Sequence, residues 1–479
     1  MIFSTYKFVL MFLPIVWVGY FLLNRLKFYT ASKIWLVLAS FYFYAQGSME
    51  FLPTFVASVG FNYLFGVGLV KVAGHVRERL LKNVIFTLGL MWNIGILGYY
   101  KYTDFFIENI NAATGANIGL MNIILPIGIS FYTFQLIAFL VDAKRGETKD
   151  YSLLNYLMFI TFFPQLIVGP IIHHGEVVPQ FEDVNNQKFK PENVALAAFI
   201  FVIGCTKKLF LADPLTTFAE PFFLNIKDNS HVWETWINSL TYTLSYYFDL
   251  SAYGDMAVGL GLFFNIKVPQ NFNSPYRALD FAEYWRRWHI TLSRFLNQYI
   301  FRNVFNKEKG AKSFYFAVMV TFLVSGFWHG AGWNFIVWGL VNGIFVCIAN
   351  FSTRSGFKMW KPLAWLITFL GVIGTRILFV SNSFGDATKT YKNMFDFGQY
   401  ADMSKRAVLT SFGTYLWDNA YFMIILLIGM GITFLAPNTR EISENFDGNK
   451  KKYAIITGFL FAVCLVQMSK VAKFLYFQF

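Results

Sequence analysis

The sequence predicts an all-α polytopic membrane protein, and its composition and its apolar runs carry that prediction. Of the 479 residues, 56% are hydrophobic and only 14% are charged, whereas a soluble domain carries about 25% charged residues. Apolar runs recur along the whole chain, and many have the length of about 20 residues that a helix needs to cross a bilayer.

Membrane topology also explains the net charge of +13. The basic residues lie in short loops between apolar runs, as the positive-inside rule expects of cytoplasmic loops, so we expect no nucleic-acid partner. Cys205, Cys347 and Cys464 lie within apolar runs and lack metal-ligand spacing, which indicates neither a disulfide nor a metal site. The first 23 residues show no cleavage-site pattern and are expected to remain as a helix.

We expect one membrane domain over residues 1–479, with a cytoplasmic amphipathic insert at about 263–312. The basic loops at 25–33, 71–82, 144–149 and 450–452, together with the insert, are assigned to the cytoplasm, which places the N-terminus outside. The expected transmembrane or re-entrant helices lie near residues 6–23, 34–49, 51–70, 84–100, 121–141, 153–172, 193–213, 233–262, 313–327, 333–350, 362–380, 416–436 and 454–474.

The segment 153–172 is expected to be interrupted. It begins and ends on loops assigned to the cytoplasm, and it contains Pro164, Gly169 and Pro170. Proline breaks or kinks a helix, and irregular backbone at membrane depth survives only where it is buried in protein or lines a cavity. A re-entrant element fits this pattern, and an ordinary kinked span is the alternative.

The apolar stretch from 313 to 350 contains one histidine and no Asp, Glu, Lys or Arg. We expect a hairpin that turns at 330–332. Its ascending arm, to Phe327, is about 15 residues or ~22 Å long, which places His329 deep in the bilayer, toward the outer half. Ionisable side chains at such depth are costly and usually functional, so His329 is the main candidate for catalysis.

The insert carries a basic aromatic segment at 281–293. If this segment is helical, Trp285, Trp288 and His289 share one face, and Arg286 and Arg287 lie off it. Such a helix usually rests in the membrane interface. The functional alternative is that its arginines also receive an anionic acyl donor, such as a coenzyme phosphate.

Two histidines, His289 and His329, therefore suit acid–base chemistry. Neutral imidazole is the natural general base near pH 7, and in acyl transfer it would take the proton of an attacking hydroxyl while nearby donors stabilise the oxyanion. A thioester donor needs neither a metal nor a serine nucleophile. A structural or substrate-orienting role for His329 remains the alternative.

Four polar residues within the predicted span 233–262 are further candidates, namely Asp249, Ser251, Tyr253 and Asp255. Carboxylates inside a span are expensive unless they are paired or lie beside water. These residues could line an active-site tunnel, or their carboxylates could form ion pairs that lock helix packing.

Several ordered motifs resemble those of the membrane-bound O-acyltransferases. They are 248–256 (FDLSAYGDM), 269–276 (PQNFNSPY), 284–293 (YWRRWHITLS) and 326–330 (GFWHG). The segments 125–135 (LPIGISFYTFQ) and 162–173 (FFPQLIVGPIIH) resemble more narrowly the alginate O-acetyltransferase branch. The similarity covers roughly residues 1–440.

The resemblance implies a ring of about 11–13 transmembrane and re-entrant helices around a tunnel that joins the two faces. It implies that His329 is catalytic and that His289 is a second functional histidine, which is asparagine in some members. The substrate-binding set that we expect consists of Trp328, Trp285, Arg286, Arg287, Trp288, Asp249, Ser251, Tyr253 and Asp255.

The resemblance also implies a reaction and a place in the cell. Acetyl-CoA would be the cytoplasmic donor, with no metal and no tightly bound cofactor. Acetyl would cross a bacterial inner membrane, among its lipids, to a periplasmic or extracellular acetyltransferase partner that modifies a polysaccharide, either an exopolysaccharide or peptidoglycan. The alternatives are D-alanyl transfer to teichoic acid from a carrier protein, or a transporter of lipid-linked saccharides, which would show paired broken helices.

Overall fold

The computed structural model describes residues 1–148 and 152–470, and every regular element in these ranges is helical. The all-α prediction is therefore confirmed. Seven helices are long and apolar enough to span a bilayer, or eight if Lys405–Asp418 and Ala420–Leu435, which meet at 81°, form one span. The end of the basic loop at 149 and the end of the last expected span at 471–474 lie outside the described residues.

The described chain groups into two compact units. One contains Met1–Val202, Tyr253–Gln270 and Phe446–Ser469, and the other contains Ile203–Ala252 and Asn271–Asn445. The single membrane domain expected from the sequence stays a prediction.

The first unit is built mainly on long apolar helices. The expected spans 34–49 and 51–70 are found as helices, whereas the helix expected at 84–100 extends to 37 residues. The helix expected at 121–141 starts only after Gly128, whose φ of 75° is left-handed, and it has 17 residues. The helices are Lys7–Arg25, Tyr29–Ser48, Leu52–Lys71, Glu78–Thr114, Ile129–Arg145, Leu153–Thr161, Phe163–Leu166, His174–Glu182, most of Pro191–Lys207, and Lys451–Gln467.

The expected interruption within 153–172 is present. The helix Leu153–Thr161 ends at Phe162, and a single turn that contains Pro164 follows. The irregular backbone is buried, and Ser40 Oγ accepts a hydrogen bond of 3.2 Å from the Phe163 amide. A Cβ at Gly128 would lie 3.2 Å from the Ile167 carbonyl oxygen. The two branch-specific motifs therefore pack against each other in this unit.

The second unit carries the expected hairpin, formed by Gly310–His329 and Trp333–Arg354 and called here the histidine hairpin. Its first arm has 20 residues and begins earlier than the sequence suggested. A Cβ at Gly326 would lie 2.4 Å from the Phe335 carbonyl oxygen and 3.2 Å from the Gly339 Cα. Because small residues let helix backbones approach closely, this contact fixes the two arms together just below His329.

The remaining helices of the second unit precede and follow the hairpin along the chain. The 32-residue helix Val232–Phe263 corresponds to the expected span 233–262, and its part up to Ala252 belongs to this unit. The polar residues Thr243, Ser245 and Asp249 are buried along it and lower its hydropathy. The others are Asp213–Leu224, Phe281–Arg287, Ile290–Leu296, Lys361–Val380, Phe384–Phe395, Lys405–Asp418, Ala420–Leu435 and Thr439–Glu444.

The segment 281–293 is not one helix. A first helix ends at Arg287, His289 takes a left-handed conformation with φ 44°, and a second helix begins at Ile290. Asn271 accounts for the break, because its carbonyl accepts from the Ile290 amide at 2.9 Å and its side chain accepts from the Thr291 amide at 3.1 Å. The prediction of one helical face shared by Trp285, Trp288 and His289 is therefore wrong.

Candidate active site

His329 is the last residue of its helix and is 6% exposed. Three aromatic rings surround the imidazole, with centroids 4.7 Å away for Trp328, 5.0 Å for Trp338 and 5.2 Å for Phe379. All three meet it at steep angles between 67° and 85°. An apolar wall of this kind excludes bulk water, and electrostatic interactions with a reacting group are stronger where water is excluded.

A cavity of about 450 Å³ lies beside the histidine hairpin, within the second unit. Its apolar side includes Trp285 and Phe322, and it reaches Ser325, which precedes His329 by one helical turn. Trp285 also contacts Trp338, with ring centroids 5.7 Å apart. The cavity therefore ends next to the aromatic wall of His329. Its polar lining consists of Arg286, Ser293, Arg294, Asn297, Thr321 and Ser325.

The structure distinguishes the two arginines that the sequence paired. Arg286 is exposed and lines the cavity. Arg287 instead binds Glu283 on its own helix, with Nε and Nη2 at 3.0 and 2.8 Å from Oε1. Because an ion pair neutralises much of the charge of Arg287, Arg286 is the better placed of the two to receive an anionic ligand.

His289 and Trp288 are buried, with exposures of 3% and 4%. The Trp288 ring stacks near Tyr276 and Tyr284 and meets Phe272 edge-on at 5.0 Å, and the His289 ring lies 6.2 Å from Phe272. Burial lowers the pKa of His289 from 6.5 to about 4. The imidazole is thus neutral at physiological pH and suits hydrogen bonding rather than charge.

Asp249 forms part of a buried ion cluster in the second unit. The Lys208 ammonium lies 2.6 Å from Asp249 and 2.7 Å from Asp213. Ser251 donates a hydrogen bond of 3.4 Å to the Phe248 carbonyl on its own helix. These contacts favour the helix-locking alternative for Asp249, although its place in the substrate-binding set stays a prediction.

Tyr253 and Asp255 belong to the first unit. The Tyr253 ring is 4% exposed and stacks on Phe3 with centroids 4.7 Å apart, and Asp255 is half-buried. Their roles in substrate binding also stay predictions.

Sequence reasoning missed Arg376, which is 5% exposed and sits on the helix Lys361–Val380. Its guanidinium carbon lies 4.1 Å from the Tyr246 ring centroid, 5.0 Å from that of Trp288 and 5.1 Å from that of Phe379. The signal was available, because Arg376 is the one Asp, Glu, Lys or Arg in the expected span 362–380. The rule that selected His329 also selects this residue.

Among the described residues, no group of three or more His, Cys, Asp or Glu side chains is arranged to hold a metal ion. The second unit offers a buried imidazole, nearby aromatic rings, and guanidinium and hydroxyl groups along the cavity.

Comparison with known proteins assigns the chain to a family. Residues 99–380 match the membrane-bound O-acyltransferase family. The chain is 38% identical to the peptidoglycan O-acetyltransferase of Helicobacter pylori, over all of this chain and 98% of the relative. It is 34% identical to the probable alginate O-acetylase of Pseudomonas aeruginosa, over 84% of this chain and 76% of the relative.

The chain is also similar, at lower identity, to a protein with a different acyl-transfer activity. The teichoic acid D-alanyltransferase of Bacillus subtilis is 28% identical over 53% of this chain and 66% of the relative. The matched family region contains the histidine hairpin, the cavity-lining helices and Arg376. The chain therefore belongs to the membrane-bound O-acyltransferase family and is a multi-pass membrane O-acyltransferase.

Proposed function

We propose that this enzyme takes an acetyl group from cytoplasmic acetyl-CoA and moves it through the inner membrane for O-acetylation of an extracytoplasmic polysaccharide. The final transfer is made by a periplasmic or extracellular acetyltransferase partner. The observation that carries this proposal is the cavity beside the histidine hairpin, because it ends one helical turn from His329 and carries Arg286 and Arg294 on its polar side.

The volume and lining of the cavity suit a thioester. At about 450 Å³, it falls within the range of about 300–1,000 Å³ that is usual for ligand pockets. Guanidinium groups bind phosphates in a planar, two-pronged geometry, so Arg286 would hold the phosphates of the coenzyme. The aromatic rings of Trp285 and Phe322 would cover the thioester end.

The proposed reaction needs no cofactor. An acceptor hydroxyl attacks the acetyl carbonyl carbon while His329 takes the hydroxyl proton, so that a C–O bond forms and the carbonyl oxygen becomes an oxyanion. Collapse of this intermediate breaks the C–S bond and releases the coenzyme thiolate, which recovers the proton from His329. This is general-base catalysis of acyl transfer.

The donor can be tested directly in inside-out membrane vesicles that contain the enzyme. Labelled acetyl-CoA and a labelled D-alanyl carrier protein would be supplied separately outside the vesicles, with peptidoglycan or alginate fragments and the remaining envelope enclosed inside as acceptors. We expect ester-linked label and stoichiometric free coenzyme from acetyl-CoA alone. Label from the D-alanyl carrier alone would contradict the proposal and favour the activity named for the Bacillus subtilis relative.

Replacing Arg286 by glutamine is expected to raise the KM for acetyl-CoA about tenfold with kcat little changed, because one charge-assisted contact to phosphate contributes about 1.5 kcal/mol. The matched control is Arg287→Gln on the same short helix, whose charge is already paired with Glu283. Steady-state kinetics at varied acetyl-CoA would measure both variants. An equal rise of KM in the two variants would contradict the assignment of Arg286.

Replacing His289 by asparagine is expected to retain acetyl transfer within about tenfold of wild type, because an amide can make the hydrogen bonds of a neutral imidazole. The pH dependence of stability provides a second, independent test. Since burial lowers the pKa of His289 to about 4, its contribution to stability is complete above pH 6.5 and is lost as the pH falls toward 4.

The asparagine variant should therefore lose less thermal stability than wild type between pH 6.5 and pH 4. Unfolding temperatures measured in detergent across this window would show the difference. His75→Asn, at an exposed loop position, should leave the wild-type pH dependence unchanged. Identical pH dependence in His289→Asn and wild type would contradict a buried neutral imidazole.

A further inference from the structure

The strongest feature that the proposed mechanism leaves unused is the buried guanidinium of Arg376. In the part of the chain that the structure describes, no ion pair involves it, and its Nε has no hydrogen-bond partner. Its polar neighbours are tyrosine hydroxyls, with Tyr246 and Tyr284 in hydrogen-bond reach and Tyr276 and Tyr242 also nearby. A buried cation surrounded by neutral groups is costly, because it has lost its hydration without gaining a counter-charge.

Cation–π contacts offset part of this desolvation free energy. The guanidinium lies over the rings of Tyr246, Trp288 and Phe379 at 4.1–5.1 Å, and a desolvated cation–π contact contributes about 2 kcal/mol. Ring faces attract a cation but leave its N–H groups with few acceptors. The arrangement is therefore that of a cation held in place by rings while its Nε–H stays available to an anion.

Arg376 lies close to the catalytic candidate. The ring of Phe379 is 5.1 Å from the guanidinium carbon and 5.2 Å from the imidazole of His329, so the two groups are at most about 10 Å apart. Within that limit, a tetrahedral carbon with its substituents could contact both groups. One side would then face the base, and the other side would face the cation.

Resting on the proposed acetyl transfer, we propose that Arg376 is a further catalytic residue that stabilises the oxyanion formed at the acetyl carbonyl. The negative charge appears on this oxygen when the acceptor C–O bond forms, and it disappears when the C–S bond breaks. A fixed donor in a site that excludes water stabilises such a transient charge without reorganisation. The anion that compensates the buried guanidinium is thus present only in the intermediate.

Arg376→Gln and Arg376→Lys test this role through the split between kcat and KM. Loss of one oxyanion donor lowers kcat by about 10²–10³-fold, so we expect that loss in the glutamine variant with the KM for acetyl-CoA unchanged. Lysine keeps the charge but not the planar fork, and should recover part of kcat. The matched control is Arg354→Gln, which removes a guanidinium that lies 4.4 Å from the Phe314 ring at the far end of the hairpin.

An inhibitor pair gives a readout that packing alone would not change. S-acetonyl-CoA mimics the bound thioester, whereas the activated ketone of S-trifluoroacetonyl-CoA adds water or the acceptor hydroxyl at its carbonyl carbon. The added oxygen gives its proton to His329, and the former carbonyl oxygen becomes the oxyanion of a tetrahedral adduct. Wild type should bind the second more tightly, and Arg376→Gln should lose this preference by a factor similar to the loss in kcat. Unchanged preference with reduced kcat would overturn the proposal, as would a raised KM with kcat retained.

Failure of the inference can be told from failure of the proposed function. If wild type turns over acetyl-CoA and His329→Ala does not, while Arg376 variants keep wild-type kcat, only the role of Arg376 is overturned. If wild type fails to turn over acetyl-CoA, both proposals fall. If neither Arg376 variant folds while Arg354→Gln does, Arg376 is a structural residue and the inference is wrong.

Discussion

Replacing His329 by alanine is expected to lower acetyl transfer by about 10²–10⁴-fold, the range that a positioned general base contributes. The side chain is 6% exposed inside a wall of three aromatic rings. The loss should appear in kcat and leave the KM for acetyl-CoA within about threefold of wild type, because the base acts on the acceptor hydroxyl and not on the donor.

The measurement is release of free coenzyme together with ester-linked label, at matched amounts of folded enzyme. His329→Gln is the informative companion, because it fills the same space and hydrogen-bonds without accepting a proton near neutral pH. We expect it to be as inactive as the alanine variant. His75→Ala, at an exposed position, serves as the control for histidine replacement. Activity retained by His329→Gln would contradict proton transfer and favour a role in orienting substrate.

Replacing Lys208 by methionine is expected to destabilise the enzyme by about 3–5 kcal/mol, because it leaves buried carboxylates without their shared cation. Lys208 is 1% exposed and Asp249 is 0% exposed, and Asp213 completes the cluster. Unfolding can be followed with a maleimide dye that reacts with Cys205 and Cys464, since both thiols are buried until the protein opens.

The neighbouring residue supplies the matched control. Lys207 donates a hydrogen bond of 2.7 Å to Thr439 and is half-buried, so Lys207→Met should cost much less. Asp249→Asn separates the two readings of this aspartate that the sequence left open. If the variant is less stable and its activity falls only in proportion to the amount of folded enzyme, a helix-locking ion pair is supported. Wild-type stability with lost acetyl transfer would instead place Asp249 on the substrate path.

The sequence predicted the histidine hairpin well because two simple signals agree there. A run free of Asp, Glu, Lys and Arg defines both arms, and the small residues at 330–332 define the turn. The same reasoning failed at Trp288 and His289. Local helix periodicity continues through them, but Asn271, about 20 residues earlier, accepts hydrogen bonds from the Ile290 and Thr291 amides and breaks the helix. Contacts between distant segments are not visible in a local pattern.

Partner assignment within the candidate site also depended on three-dimensional contacts. The sequence gives no reason to distinguish Arg286 from Arg287. Only the structure shows that Glu283 forms an ion pair with Arg287. Asp249 was recognised as an expensive buried charge, but its partner Lys208 lies 41 residues away along the chain. Arg376 could have been selected, because a lone charge within an apolar span is itself a signal.

The backbone contact between Gly326 and Gly339 has a mechanical consequence for turnover. Because no side chain separates the two arms at this level, we expect them to resist moving apart, which would hold the imidazole, three residues after Gly326, in a fixed position. We therefore expect substrate entry and product release to leave the hairpin closed. We expect the rates of these steps to depend on rotation of side chains such as Trp285 and Phe322, whose rings line the cavity. Replacing these rings with larger or smaller ones should change the rates of substrate binding and product release more than the rate of the chemical step.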